Sequence, residues 1–437
     1  MSNAVIVEAV RTPMGRGKAG GALADLHPVD LLAQTLTALV ARTGIDPGIV
    51  DDVIIGCVGQ NLEQSATPGR QAWLAAGFPE HVPSVTIERK CGSGQQAIEF
   101  AAAGIVAGLY DIVIAGGVES MSRVPITSAR MGADPHGPGV RARYPGLVPQ
   151  GVSAELVAHR WGLSRTTLDT YAVRSHARAA AAAASGGFDD ELVAVTPPGA
   201  APVSADESIR PGTTLERLAG LPAVFGTDEM RARFPDIDWS VTAGNSSQIT
   251  DGASVLLLMS EERAAALGLR PRARIHASAV VGDDPQLMLT GPIAATTKVL
   301  ARAGLTLRDI DTVEVNEAFA SVPLAWLAEH PYDEERLNPR GGAIALGHPL
   351  GASGARIMTS MLHHLEQTGG RYGLQTICEA GGIAPTLAIT VRSVTGEKYD
   401  RIVNHQLGPI PPRLDGTDER DEGNLPDPTW PEDEVPF

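Results

Sequence analysis

The chain has 437 residues and a formal net charge of −16, with 43% hydrophobic and only 4% aromatic residues. That length fits two similar halves plus an insertion, and the acidity argues against a nucleic-acid partner, which would need a basic face. No apolar run approaches the roughly 20 residues that cross a bilayer, and no basic-then-apolar leader opens the chain, so a cytoplasmic protein is expected.

Taken in chain order, apolar runs at 5–9 and 52–57 read as strands. A third strand, 84–88, runs into Arg89-Lys90-Cys91-Gly92-Ser93-Gly94, and a helix of small and apolar residues follows over 93–107. Cysteines are usually inert core residues, and Cys57, Cys91 and Cys378 are too few and too scattered for a disulfide framework or a zinc site. Cys91 stands apart because a strand-to-helix turn lies at the positive end of a helix dipole, which favours a thiolate. Strand 111–115 then leads into Gly116-Gly117.

Segment 119–249 is rich in proline, glycine and charge, with a helical stretch through Ala179–Ala184 and few strand signals; it reads as an inserted loop domain. Within it, Gly244-Asn245-Ser246-Ser247-Gln248 can cradle a ligand or simply turn. Strands at 254–259 and 273–281, a helix at 292–303 and a strand at 311–315 come next. Asn316-Glu317-Ala318-Phe319 follows that strand, where an amide can orient a water or an oxyanion, or cap a helix. A glycine-rich loop, 341–354, holds His348 before Pro349 and a helix over 353–367; a histidine there can act as base or donor. Strand 372–378 ends on Cys378, before Glu379-Ala380-Gly381-Gly382, and strand 385–391 closes the ordered pattern. From Thr395 onward proline, aspartate and glutamate dominate, and an extended or disordered tail is expected.

The chain also repeats itself at an offset of 260 residues: Gly44, Asp51 and Val53 correspond to Gly304, Asp311 and Val313, and Ser93-Gly94 to Ser353-Gly354. Alternating strands and helices with an internal repeat point to two related βα halves of a layered α/β protein. The Cys91 loop and the His348 loop are repeat partners, which in facing halves would meet across a pseudo-twofold axis.

The Cys-Gly-Ser-Gly turn, Asn-Glu-Ala-Phe, Gly-His-Pro and the late cysteine before a glycine turn, together with Val7–Pro13 and Gly116–Ser122, resemble the thiolase family over roughly residues 3–392. The resemblance implies two duplicated βαβαβ-type halves in an α/β/α/β/α core: an N-terminal half (1–118 and 250–268), a loop domain (119–249) that binds CoA, a C-terminal half (269–394) and the tail (395–437). It implies that Cys91 is the nucleophile, His348 its activator and Cys378 the acid/base at the acetyl-CoA carbon. Asn316 would hold a water that forms one oxyanion hole with His348, and the amides of Cys91 and Ala380 would form the other. Ser247 matches a residue that meets the pantetheine arm, and Gly244, Ile249, Ala318, Phe319 and Gln150 are the further expected CoA contacts. Coenzyme A is then a co-substrate rather than a tightly bound cofactor, no metal is needed, and a homodimer or homotetramer is implied.

Two departures matter. The late motif carries Ala380 where the family usually has glycine, and if that residue needs a positive φ the cost is about 1 kcal/mol or more, with reduced activity. The loop Val148–Glu155 lacks the His-Met pair of acetoacetyl-CoA thiolases, and Pro222 stands where an arginine often meets the nucleotide, leaving Arg210 or Arg217 to substitute. These features lean toward degradation of a medium, branched or cyclic 3-ketoacyl-CoA, as in actinobacterial steroid-catabolic thiolases. The alternatives are a biosynthetic acetoacetyl-CoA thiolase, a non-catalytic acyl-CoA or lipid-binding relative, and a condensing enzyme, which would not need Cys378.

Overall fold

The computed structural model describes residues 3–391; the expected tail lies outside them. Ten strands occur among these residues: β1 (Ala4–Arg11), β2 (Gly15–Arg16), β3 (Asp52–Gly56), β4 (Ser84–Ile87), β5 (Ile112–Ser120), β6 (Thr250–Ser260), β7 (Ala273–Gly282), β8 (Thr312–Val315), β9 (Tyr372–Thr376) and β10 (Ile383–Val391). Nine of them fall where the apolar runs place them. The two-residue β2, too short to carry a pattern, is the addition. β5 runs on to Ser120 because Gly116–Ser120 continue the antiparallel ladder with Val255–Asp251 of β6. Cys378, read as the end of a strand, lies two residues beyond β9, in the turn toward β10.

The strand order is β4-β3-β5-β6-β1-β7-β10-β9-β8, with β2 beside β6. The sheet is mixed: β3 pairs in parallel with β4 and β5, and β8 with β9, while the central strands are antiparallel. The first-half and second-half strands join through only two residue pairs, Val5↔Arg274 and Ile6↔Ala273. Helices Ser93–Ala107 and Ser353–Thr368 fill the space between them: Ala97, Ile98 and Ala101 pack with Ala355, Met358 and Leu362, and with inward residues of both half-sheets such as Val113, Leu256, Leu387 and Ile389. Helix Pro28–Thr43 covers the outer face of the first half and helices Gly291–Ala303 and Ser321–Glu329 that of the second. The result is a layered α/β/α/β/α core.

The repeat is visible in side-chain detail. Asp51 Oδ2 accepts from the amides of Asp111 (2.7 Å) and Ile112 (2.8 Å), and Asp311 Oδ2 accepts from those of Arg371 (2.7 Å) and Tyr372 (2.9 Å). Asp51 clips the start of β5 to the loop before β3, and Asp311 clips the start of β9 to the loop before β8, at the same 260-residue offset. The helices before those strands stop on left-handed glycines, Gly108 (φ 78°) and Gly369 (φ 71°).

Between β5 and β6 the regular elements are helices, with Gln150–Arg160 and Arg165–Ala184 the longest. The stretch 149–155, read as a loop, is the first turn of the former, starting after Pro149. Gly151 and the lack of a polar N-cap hide that start from a propensity reading. Glu155 explains why the helix holds: it is fully buried and accepts from the amides of Ser240 and Val241 at 2.8–3.1 Å.

Candidate active site

Cys91 sits on the tight turn between β4 and helix Ser93–Ala107 and is 5% exposed. It packs against Ile357 of helix Ser353–Thr368, Ile377 just past β9 and Leu350 of the His348 loop, all from the second half. Such proximity demands glycine: a Cβ on Gly354 would lie 2.1 Å from the Gln95 amide nitrogen, and one on Gly94 would lie 2.6 Å from Gly351 O. The two helix starts cross there, backbone to backbone, so repeat partners meet as the duplicated pattern implies.

Three nearby donors favour the charged form of Cys91 Sγ: the amides of Cys91 itself and of Ala380, and the side chain of Gln150. They do not make a resting thiolate. Burial, reinforced by the Glu379 carboxyl, pushes the thiol up to about 12. This corrects the helix-dipole expectation, because desolvation of the charged form outweighs a helix terminus and three donors. Cys378 is fully buried close by, and its thiol is also pushed up, by burial and then by Cys91.

His348 is 4% exposed, and its backbone amide is tied to Gln248 O (3.1 Å) and Thr250 Oγ1 (3.0 Å). Its Nδ1 lies 2.5 Å from Ser353 Oγ, and that hydroxyl donates its only proton to Pro349 O at 2.8 Å. Ser353 therefore accepts from Nδ1–H, and Nε2 carries the free lone pair. Nε2 faces Asn316 Nδ2 at 3.5 Å, while Asn316 Oδ1 is buried without a partner among the described residues, free to accept from a water. Burial, then the Arg356 charge, drives the imidazole down to about 3, so at neutral pH the site holds a neutral thiol and a neutral base.

Ala380 has no positive φ; the turn places its left-handed residues at Gly381 (φ 95°) and Gly382 (φ 76°). The strain considered for an alanine at this position is absent, and the amide is delivered intact.

The expected CoA contacts divide. Ser247 donates its amide to Ala318 O at 2.9 Å and Ser246 bridges Phe319, so Ser247, Ala318 and Phe319 form one cluster, with Phe225 edge-on to Phe319 at 6.0 Å. Ile249 at its end is 47% exposed, an apolar side chain open to a ligand. Gly244 is buried under Leu218 and Leu221, a structural position. Gln150 reaches Cys91 rather than the cluster. Arg210 is exposed and donates to Gln248 Oε1 at 3.0 Å, whereas Arg217 is turned to Gly212 O.

Sequence reasoning missed Thr250 and Glu119, and took Gln248 for part of a cradle or turn rather than an anchor of the His348 loop. Glu119, at the end of β5, accepts from the amides of Val58, Gly59 and Gly351 at 2.8–2.9 Å and so ties the His348 loop to the first half. A carboxylate inside an otherwise apolar strand end was the available signal.

The family description "Thiolase, N-terminal domain" matches residues 4–262, and "Thiolase, C-terminal domain" matches residues 269–391. Among curated proteins, the steroid 3-ketoacyl-CoA thiolase FadA6 of Mycobacterium tuberculosis is 48% identical over 88% of this chain and 93% of its own length. The 3-ketoacyl-CoA thiolase of Shewanella denitrificans is 45% identical over 86% of this chain and 96% of its own. The crystal structure of the Bacillus anthracis acetyl-CoA acetyltransferase superposes with a TM-score of 0.80 at 40% identity, over 90% of this chain and 99% of that one.

Proposed function

The chain belongs to the thiolase family and is an acyltransferase, and from that premise we propose that it cleaves a 3-ketoacyl-CoA with CoA, through an acyl group carried on Cys91, into acetyl-CoA and a shortened acyl-CoA. The observation that carries this reading is the Nε2 lone pair of His348, held beside Asn316, together with two buried thiols close to one another, Cys91 being packed against Leu350 of the His348 loop.

As Cys91 Sγ attacks the 3-keto carbon, His348 Nε2 takes the thiol proton. With the thiol near 12 and the imidazole near 3, ionisation ahead of attack is uphill, so the proton moves as the bond forms. One pair of donors, the Cys91 and Ala380 amides, and a second, His348 with a water on Asn316, hold the negative oxygens of the tetrahedral intermediate and of the leaving enolate. A donor of this kind is worth about 2.7–4 kcal/mol. The C2–C3 bond breaks, Cys378 gives its proton to the acetyl-CoA carbanion, and Cys91 is left as a thioester. Cys378 then takes the proton of the incoming CoA thiol, the CoA sulfur attacks the thioester, and Cys91 leaves with the proton held by His348. CoA enters as a co-substrate, and its proposed contacts are Ser247 and Ile249 of a loop domain of 119–249 with Ala318 and Phe319 of the C-terminal half.

For the substrate, a medium, branched or cyclic acyl chain is the reading favoured by the 148–155 segment, which lacks the His-Met pair, and by the steroid thiolase among the relatives. An acetoacetyl-CoA thiolase is the second reading, favoured by the acetyl-CoA acetyltransferase likeness. A homo-oligomer is part of the proposal, supported by the unpaired outer edge of β4, where Val85 is 43% exposed and Phe100 nearby is 48% exposed. Among the described residues no helix is long and apolar enough to cross a membrane; three free thiols suit a reducing compartment and support a cytoplasmic setting. Quenched intact-protein mass spectrometry after mixing with a 3-ketoacyl-CoA tests the chemistry: an acyl adduct on Cys91 is expected, and its absence sinks the reading. Comparing kcat/KM for acetoacetyl-CoA with that for longer and polycyclic 3-ketoacyl-CoA substrates separates the two substrate readings.

A further inference from the structure

Glu379 lies between Cys378 and Ala380, and the mechanism above does not use it. Its side chain is fully buried, and among the described residues neither carboxyl oxygen has a hydrogen-bond partner. It presses on the backbone next to the nucleophile, for a Cβ on Gly92 would lie 2.0 Å from Glu379 Oε1. The turn holds it there: the Glu379 amide donates to Ile383 O at 2.9 Å and its carbonyl accepts from Gly382 at 3.3 Å. The other groups facing it are Glu88 and Arg89 before the Cys91 turn, Glu99 on helix Ser93–Ala107, and the two thiols; β10 contributes only the apolar ring of Pro385.

An ionised carboxylate left in that place would lack the paired charge or hydrogen bonds that buried charges require. Its surroundings also contain two further acids against one half-buried arginine. Resting on the proposed acyl-Cys91 chemistry, we propose that Glu379 is a pH-sensitive brake on the acylation step, present as an unpaired neutral carboxylic acid wedged against the Cys91–Gly92 peptide, where a negative charge would oppose the oxyanion held by the Cys91 and Ala380 amides. Burial first, then Glu99 and Glu88, carries its pKa to about 9, and Arg89 with the Gly92 amide offsets only part of that rise. The acid is therefore neutral across the physiological range. Its ionisation works against Cys91 twice, by raising the thiol further and by repelling the negative oxygen of the intermediate.

The test is the rate of Cys91 acylation by acetyl-CoA, which has no 3-keto group to ionise, followed by quenched intact-protein mass from about pH 7 to about pH 10. The wild-type rate is expected to fall about 10-fold or more across a limb centred near 9. Glu379→Gln and Glu379→Leu are expected to stay within about 3-fold of wild type at pH 7 and to lose that limb, since neither can ionise. The leucine variant keeps the volume without a polar group, so the test survives if the glutamine variant does not fold. A limb that persists in a folded variant, an even loss of rate at every pH, or a flat wild-type profile overturns the proposal while leaving the acyl-enzyme reading standing. Absence of any acyl adduct on wild-type Cys91 removes both.

Discussion

The Cys91 turn and the His348 loop occupy equivalent places in the two halves, and each is followed by a helix opened by Ser-Gly. In the first half Ser93 Oγ accepts from the Arg89 amide at 2.8 Å and donates to Lys90 O at 2.6 Å, so the serine shapes backbone alone. In the second, Ser353 Oγ again donates to a loop carbonyl, Pro349 O, but its lone pair receives His348 Nδ1–H. One inherited hydroxyl geometry thus builds a nucleophile turn in one half and selects a histidine tautomer in the other. The difference lies in what the loop offers: five residues separate β4 from helix Ser93–Ala107, while the longer His348 loop is anchored from outside itself by Gln248, Thr250 and Glu119.

The comparison breaks hardest at Cys91. Cys91→Ala should abolish the acyl adduct and lower thiolysis by about 10⁴-fold, as loss of a covalent nucleophile does elsewhere; an adduct that persists on the variant would place the nucleophile at another thiol. Asn316→Ala should cost about 10²–10³-fold in kcat, with a smaller effect on KM, if its amide serves an oxyanion through water. A KM effect alone would make Asn316 a binding residue.

Ser353→Ala and Ser93→Ala sharpen the contrast directly. Loss of the Nδ1 acceptor should lower kcat about 10-fold by releasing the wrong tautomer, whereas Ser93→Ala should cost about 1 kcal/mol of stability and leave kcat nearly unchanged. Equal kcat losses would erase the distinction. The same site predicts the acid side of the pH profile. His348 is depressed from 6.5 to about 3, so it stays neutral in the folded protein while an unfolded histidine takes up a proton. Its buried neutral form therefore favours folding above the unfolded value, and that contribution is lost as the pH falls from about 6.5 toward 3. Acylation of Cys91 should show no limb near 6.5, and a limb there would mean a solvated imidazole. The smallest effect belongs to Ala380→Gly. With no positive φ at Ala380, kcat/KM should change less than about 2-fold, and the added backbone freedom should cost about 0.5–1 kcal/mol in stability.

Much of this was legible in the chain itself. Strand positions and the two central helices followed from apolar runs, because most of those segments, such as β1, β5, β6 and β10, are buried on both faces and leave little pattern to mistake. The start of helix Gln150–Arg160 was not, since what stabilises it is Glu155 capturing the amides of Ser240 and Val241, some 85 positions away. Cys91, His348, Asn316 and Cys378 stood out by residue type and motif, and the model places His348 beside Asn316 and Cys91 near Cys378.

What the sequence determined by itself is the duplicated α/β architecture, the family and the identity of the reactive groups, all of which depend on local pattern and on residues next to one another in the chain. Their protonation and orientation were decided by tertiary structure. Whether Cys91 is thiol or thiolate depends on how much water the second half removes from it, which no motif encodes. The histidine tautomer depends on one hydroxyl's other hydrogen bond. The ease of the Ala380 turn depends on Gly381 and Gly382 taking the left-handed conformations that an alanine would resist.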